Sequence, residues 1–237
     1  MLTDGSRVIA LIPARGGSKG ILRKNLANLA GSPLIKYTID SARRSSLVDE
    51  VWVSSDDEEI LNVSESLGVR VLNRPKEISD DKSSAEDVVY HFISTLSYDA
   101  KYENIVIIYL QPTSPLRDHE HINSALEIMT SQKAIGVMSV VEAEKSPYKS
   151  FRISESGQLL SLFDERLSNA RRQDLPKCYY PNGAIYAFRL FEFIKRKGFP
   201  SNGSFPFVMS TSESIDIDDG IDLIKAETVI GDKNGGV

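Results

Sequence analysis

The sequence predicts an α/β fold, a mostly parallel sheet with helices on both faces. Two apolar runs, Val8-Ile9-Ala10-Leu11-Ile12 and the stretch Asn104 to Leu110, are continuous rather than alternating, as expected of strands buried on both sides. Segments with apolar residues at helical spacing separate such runs. Strand and helix signals then alternate along most of the chain, the pattern of βα units.

Arg7 to Pro13 is the first strand, followed by a glycine-rich loop. Ser32-Pro33 reads as an N-cap with proline at the first helical position, and Ile35, Ile39 and Ala42 make the face of the helix that follows. Glu50 to Ser54 is a strand. Ile60, Val63 and Leu67 mark a helix closed by Gly68, and Val69 to Leu72 is a short strand. Ser83 and Glu86 form a capping box for a helix carrying Val88, Val89, Phe92, Ile93 and Leu96. After the strand at 104–110, Ile122, Ala125, Leu126 and Met129 form another helical stripe, and Ile135 to Val140 a further strand.

From about residue 142 to 176 the chain is more polar and less periodic, yet it carries Phe151, Ile153, Leu159, Leu160, Leu162 and Phe163. These need a partner surface. The segment reads as an insertion into the single domain of residues 1–237, either a dimerisation element that makes the protein a homodimer or a lid packed on its own chain. Ala184 to Phe188 and Ser214 to Ile217 return as strands, and a last helix runs from about Asp219 to Val229. Only the Gly235-Gly236 tail is expected to lack structure.

In such sheets ligands bind beyond the carboxyl ends of the strands. That edge gathers the loop after Ile12, the Ser54-Ser55-Asp56 turn and Gln111-Pro112-Thr113-Ser114. The first of these, Pro13-Ala14-Arg15-Gly16-Gly17-Ser18-Lys19-Gly20, lets backbone N–H groups approach a phosphate. Arg15 and Lys19 add charge, as do Arg23 and Lys24, while Asn25 offers hydrogen bonds to a base or ribose. The loop is neither a Walker A motif, since Gly20 is followed by Ile21, nor GxGxxG, since Gly16 and Gly17 are adjacent. The alternative is a glycine-rich turn with solvated basic side chains; the position directly after the first strand favours phosphate binding.

Ser214-Ile215-Asp216-Ile217-Asp218-Asp219 is the second informative stretch. On a strand, Asp216 and Asp218 share a face, with Cα atoms about 7 Å apart. Two carboxylates suit one Mg²⁺, which completes its shell with waters and substrate phosphates. Asp218 could instead cap the last helix; Asp219 is read as its cap.

Bulk composition excludes several classes. The 237 residues are 41% hydrophobic and 26% charged, with a net charge of -5. That is a globular balance without the basic footprint of a nucleic-acid binder. A single cysteine, Cys178, permits no internal disulfide. Neither a signal peptide nor a membrane-spanning apolar run is evident, so a cytoplasmic protein is expected. Asp118-His119-Glu120-His121 begins a helix, where i and i+2 do not share a face, so a metal reading is set aside. His91 is read as a helix-surface residue and Trp52 as packing.

The loop from Leu11 to Gly20 with Arg23-Lys24-Asn25 resembles the signature of the CMP-sialic acid synthetases, the acylneuraminate cytidylyltransferases. The resemblance continues in order through Arg74-Pro75, Gln111-Pro112-Thr113-Ser114-Pro115-Leu116-Arg117, Arg172-Gln173, Asn182-Gly183-Ala184-Ile185-Tyr186 and Ser214-Ile215-Asp216-Ile217-Asp218.

It implies a Rossmann-like nucleotidyltransferase that couples a nine-carbon acidic sugar to CMP, taken from CTP, with release of pyrophosphate. By the same resemblance, Arg15 and Lys19, with Gly16 and Gly17, contact the triphosphate. Lys24 steadies the leaving group, Asn25 helps hold the nucleotide, and Arg74 lies on the base side. Ser84, or Ser83, matches a nucleotide-contacting serine, although a capping role for Ser83 stands beside that. Asp216 and Asp218 would hold Mg²⁺ and are catalytic with Lys24. Gln111, Thr113, Ser114 and Arg172 face the sugar, Arg172 toward its carboxylate, with Lys149 a weaker candidate. Tyr180 departs from the pattern: many sialic-acid enzymes carry an arginine there. A relative such as legionaminic acid is therefore expected in place of N-acetylneuraminic acid.

Overall fold

The computed structural model describes residues 2–96 and 102–235. Its centre is a seven-stranded sheet. In chain order the strands of this sheet and the two small ribbons are β1 (Arg7–Pro13), β2 (Asn28–Leu29), β3 (Ser32–Pro33), β4 (Glu50–Ser55), β5 (Arg70–Asn73), β6 (Ile105–Tyr109), β7 (Gly136–Glu142), β8 (Phe151–Ile153), β9 (Leu159–Ser161), β10 (Tyr179–Arg189) and β11 (Phe205–Val208). The helices are α1 (Leu34–Arg44), α2 (Glu58–Ser66), α3 (Ala85–Thr95), α4 (His119–Ser131), α5 (Glu165–Ser168), α6 (Leu190–Arg196) and α7 (Gly220–Gly235).

The large sheet runs β11-β7-β10-β6-β1-β4-β5. β10 is antiparallel to both its neighbours, and every other pairing is parallel. β1 sits between β6 and β4 with both faces covered. Val8, Ala10 and Ile12 pack with α1, α2 and α4 residues such as Ile35, Ile39, Ile60 and Leu126. Ile9 and Leu11 pack on the other face with Val88, Phe92, Leu190 and Phe193 of α3 and α6. This is why the run is unbroken in apolarity: each residue meets one core or the other, and each buried aliphatic side chain contributes about 1.5–3 kcal/mol. A third, smaller cluster joins Leu29 and Leu34 to Ile217 and Ala226, tying the segment after the glycine loop to α7.

Four local expectations are corrected. Ser214 to Ile217 forms no strand. It leaves a 3-10 turn at Thr211–Glu213 in irregular backbone, and the Ile217 N–H is spent on the Thr113 carbonyl at 2.8 Å rather than on a ladder. The strand beside β7 is β11 instead, whose Pro206 fits an edge position. Ser32 does not cap α1: Ser32-Pro33 pairs with Asn28-Leu29, and Pro33 takes the cap position. The box on α3 is formed by Ser84 and Asp87, one residue later than the Ser83–Glu86 reading. The last helix extends to Gly235, while Gly236 lies outside the described residues.

Asp118 and His121 form a capping box at the start of α4, which accounts for the acidic-histidine run. Trp52 packs edge-on against Phe92 under the Arg70 guanidinium. Among the described residues no helix is long and apolar enough to cross a membrane.

The excursion between β7 and β10 comprises the β8–β9 hairpin and the short α5. Phe151, Ile153, Leu159, Leu160, Leu162 and Phe163 all remain exposed there, Ile153 by 73%.

Candidate active site

The glycine loop is held by its neighbours rather than free. Ala14 donates its N–H to the Ser54 carbonyl at 2.9 Å, and the Gly16 N–H donates to Asp56 Oδ1 at 3.0 Å. A Cβ at Gly16 would lie 2.8 Å from the Asp57 side chain, so Gly16 packs against the β4–α2 turn and does not line the cleft. Arg23, in left-handed backbone with φ 53°, reaches the same turn and pairs with Asp57 and Glu59. Ser18 Oγ accepts from the Lys24 N–H. Asn25, 6% exposed, donates its amide to the Arg15 carbonyl at 2.9 Å.

The loop then meets the other end of the chain. Lys24 Nζ donates to the Ile217 carbonyl and to Asp218 Oδ1. Gly20 approaches so closely that a Cβ there would sit 2.1 Å from the Asp218 carbonyl oxygen. Ile217 is fully buried between Asp216 and Asp218. The Ile–Asp alternation thus works as on a strand, although anchoring comes from Thr113 and the third core cluster.

Together these segments wall a cavity of about 450 Å³ beyond the carboxyl ends of β1, β5 and β6. Arg15, Gly17, Ser18, Lys19, Gly20, Lys24 and Asn25 line one side, Gln111, Thr113, Asp216 and Asp218 another, and Arg74, Ser83 and Ser84 a third. Arg74 is 5% exposed, its Nε has no partner, and its nearest carboxylate, Asp56, is 4.0 Å away. Burial lowers its pKa. A buried guanidinium with an unmatched donor on a cavity wall is suited to an acceptor group of a ligand.

Asp216 has its pKa raised, first because the cleft walls strip its hydration and further by Asp218; a hydrogen bond from Thr113 opposes the shift. Thr113 therefore serves the aspartate loop twice, through its hydroxyl and through its carbonyl. Gln111 lies against Gly183, where φ is +80° and a Cβ would come within 2.9 Å of Gln111 Oε1. Behind the wall, Ser114 is buried with an unpartnered Oγ and does not line the cavity. Arg117 is fully buried and donates to Thr38 Oγ1 at 2.6 Å, fixing the 111–117 segment to α1.

Three sugar-side candidates lie apart. Lys149, Arg172 and Tyr180 are exposed on or beside the excursion and do not border the cavity. Sequence reasoning missed Tyr109, Asp80 and Asp81, which do. Tyr109 was concealed as one more apolar-strand residue, and its phenol pKa is pushed well up by burial. Nothing in the local sequence marks the Asp80-Asp81 pair before Ser83 as a group facing the cations.

The donor set bears on a metal. Among the described residues no cluster of three or more His, Cys, Asp or Glu could hold one. Two carboxylates on one wall fit an ion that draws its remaining ligands from water and phosphate.

Residues 9–196 match the family model for cytidylyltransferases. The chain is 36% identical over 230 residues to N-acylneuraminate cytidylyltransferase of Escherichia coli O18:K1:H7, covering 97% of this chain and 53% of that one. It is 37% identical over 180 residues to pseudaminic acid cytidylyltransferase of Campylobacter jejuni, covering 75% and 76%. The chain thus spans about half the length of the bacterial N-acylneuraminate relatives it matches. Among solved structures, CMP:2-keto-3-deoxy-manno-octonic acid synthetase complexed with CTP superposes with a TM-score of 0.68 at 18% identity, over 96% of this chain and 100% of the other. That likeness concerns the fold.

Proposed function

This chain belongs to the cytidylyltransferase family, and from that premise we propose that it activates a nine-carbon acidic sugar with CTP, forming the CMP-sugar and pyrophosphate. One observation carries the reading. Lys19, early in the chain, and Asp216, near its end, line a single cavity together with the under-partnered Arg74.

In this reading the triphosphate lies along the glycine loop, with Gly17 open toward it and Arg15, Lys19 and Lys24 offsetting its charge. The base reaches toward Arg74 and Ser84, and Asn25 keeps the loop in shape. The anomeric hydroxyl of the sugar gives up its proton to Asp218 or to water and attacks the α-phosphorus, and the bond to the pyrophosphate oxygen breaks. The chain's own contribution is positioning and electrostatic stabilisation. Asp216 and Asp218 would hold one Mg²⁺, which when bound supplies Lewis acidity at the α-phosphate.

The sugar is assigned to the side of Gln111 and Thr113, backed by Ser114. Lys149, Arg172 and Tyr180 are assigned to the same pocket through a partner copy. The exposed apolar set at 151–163 supports a homodimer in which the excursion of one copy reaches the other. Tyr180 supports a preference for a legionaminic-type sugar over N-acetylneuraminic acid. The cytoplasm is the proposed site of action.

The test is pyrophosphate release with CTP, UTP or GTP and Mg²⁺, against a panel of N-acetylneuraminic, legionaminic and pseudaminic acids and an eight-carbon ulosonic acid. Release that requires CTP and a nine-carbon acid supports the reading. Binding without release would make the protein a nucleotide sensor, and release with another nucleotide or only the eight-carbon acid would overturn the assignment.

A further inference from the structure

Two of the three cations assigned to the triphosphate, Arg15 and Lys19, are already paired with a single carboxylate. Asp81 Oδ1 lies 2.9 Å from Arg15 Nη1, and Asp81 Oδ2 lies 2.9 Å from Lys19 Nζ. One carboxylate therefore spends one oxygen on each cation, as two oxygens of a phosphate would. Arg15 Nη1 also donates to the Asp80 carbonyl at 3.2 Å.

The contact is built into the loop. Asp80 Oδ1 accepts from the Lys82 N–H, the Ser83 N–H and the Ser83 hydroxyl at 2.8–2.9 Å, an Asx-turn arrangement. The Ser79 hydroxyl donates to the Pro75 carbonyl, and Ser84 begins α3 through its capping box. The segment between Pro75 and α3 is thus ordered by its own hydrogen bonds, and Asp81 has no part in that ordering. Among the described residues its carboxylate pairs only with the two cations, whose proximity also holds its pKa below the usual aspartate range. Asp81 is 48% exposed and Lys19 78%, so the pairs are solvent-screened, individually weak and exchangeable.

We propose that Asp81 is an internal competitor for polyphosphate, an affinity-setting residue whose carboxylate must leave Arg15 and Lys19 before a nucleoside triphosphate or pyrophosphate can use them. The proposal rests on the nucleotide-site reading above and deepens it. A ligand that engages both cations bears the cost of displacing Asp81, which lowers its apparent affinity by the fraction of molecules with the cations free. A nucleoside monophosphate, lacking the outer phosphates, leaves Asp81 in place and bears none of it. In turnover, return of Asp81 to the cations favours departure of pyrophosphate.

The experiment is calorimetric binding of CTP, CMP and inorganic pyrophosphate to the full chain, comparing wild type with Asp81→Asn, Asp81→Ser and Glu77→Gln. Glu77, exposed in the same segment and away from the cavity, controls for loss of one negative charge. Both Asp81 variants are expected to tighten CTP and pyrophosphate by about three- to tenfold, leaving CMP within about twofold, while Glu77→Gln shifts none of the three beyond that range. Unchanged or weaker CTP binding in both Asp81 variants overturns the proposal, as does equal tightening by Glu77→Gln or of CMP. If wild type binds neither CTP nor CMP, the nucleotide-site reading fails first and this proposal with it.

Discussion

Lys24 Nζ lies 3.1 Å from Asp218 Oδ1 and 2.6 Å from the Ile217 carbonyl, although Lys24 and Asp218 stand 194 positions apart in the chain. This contact closes the cavity: it fastens the loop after β1 to the aspartate segment before α7. The Lys24 side chain is only 16% exposed, so the ammonium is confined where a leaving group would need it. Lys24→Met is expected to raise the KM for CTP and lower kcat, by roughly tenfold or more together, because it removes a charge-assisted hydrogen bond and leaves Asp218 unmatched. Steady-state kinetics with CTP varied, together with limited proteolysis at 214–219, checks both consequences.

Two glycines of the same loop should behave differently. A Cβ at Gly20 would meet the Asp218 carbonyl oxygen at 2.1 Å, whereas a Cβ at Gly17 meets nothing within 4 Å. Gly20→Ala must displace backbone and should destabilise by about 1–3 kcal/mol. Gly17→Ala should leave the melting temperature within a degree or two, of order 0.5 kcal/mol, while weakening CTP through the space it fills. Thermal melts and CTP titrations of the two variants distinguish these outcomes.

Asp216 links stability to pH with a defined sign. Desolvation, with Asp218 adding, raises its carboxyl pKa above the ordinary value of 3.8. The folded state then holds the proton more tightly than the unfolded chain. The stabilising contribution is complete below the unfolded value and is lost as pH rises through the raised folded value. At neutral pH, Asp216→Asn should therefore melt at the same temperature as wild type or higher, with the gain shrinking toward acid pH. Calorimetric scans at both ends of that range test it, and a less stable variant at neutral pH would argue against the assigned cause.

The exposed apolar set on the excursion between β7 and β10 makes a further prediction. Leu159 is 66% exposed and Phe163 53%, more than isolated surface residues require when several lie on one excursion. Leu159→Asp with Phe163→Asp should convert a dimer to a monomer in sedimentation. It should also raise the KM for the acid sugar while leaving CTP binding intact, if Lys149 and Arg172 serve a partner's pocket.

The sequence carried the fold through the residues that physics constrains most. Each residue from Val8 to Ile12 had to suit one of two cores, so their continuous apolarity named a central strand. The glycine loop and the Asp216–Asp218 pair were legible because close backbone approach and paired carboxylates restrict residue choice. Less was legible where tertiary contacts overrule local pattern. Ser214 to Ile217 alternates like a strand but spends its backbone on Thr113, and Ser84 takes the cap that Ser83 could equally have taken. Gly16 reads in sequence as a phosphate contact, yet its missing side chain makes room for Asp57. The interception of Arg15 and Lys19 by Asp81 joins residues more than 60 positions apart, and no local spacing announces it.

The CTP-dependent transfer proposed for this cavity has Asp216 at its working edge. Its most direct test is pyrophosphate release by Asp216→Asn beside wild type, at saturating Mg²⁺, CTP and acid sugar. A fall in turnover of roughly a hundredfold or more is expected, with the melting transition retained. Turnover equal to wild type under those conditions would rule out the role of Asp216.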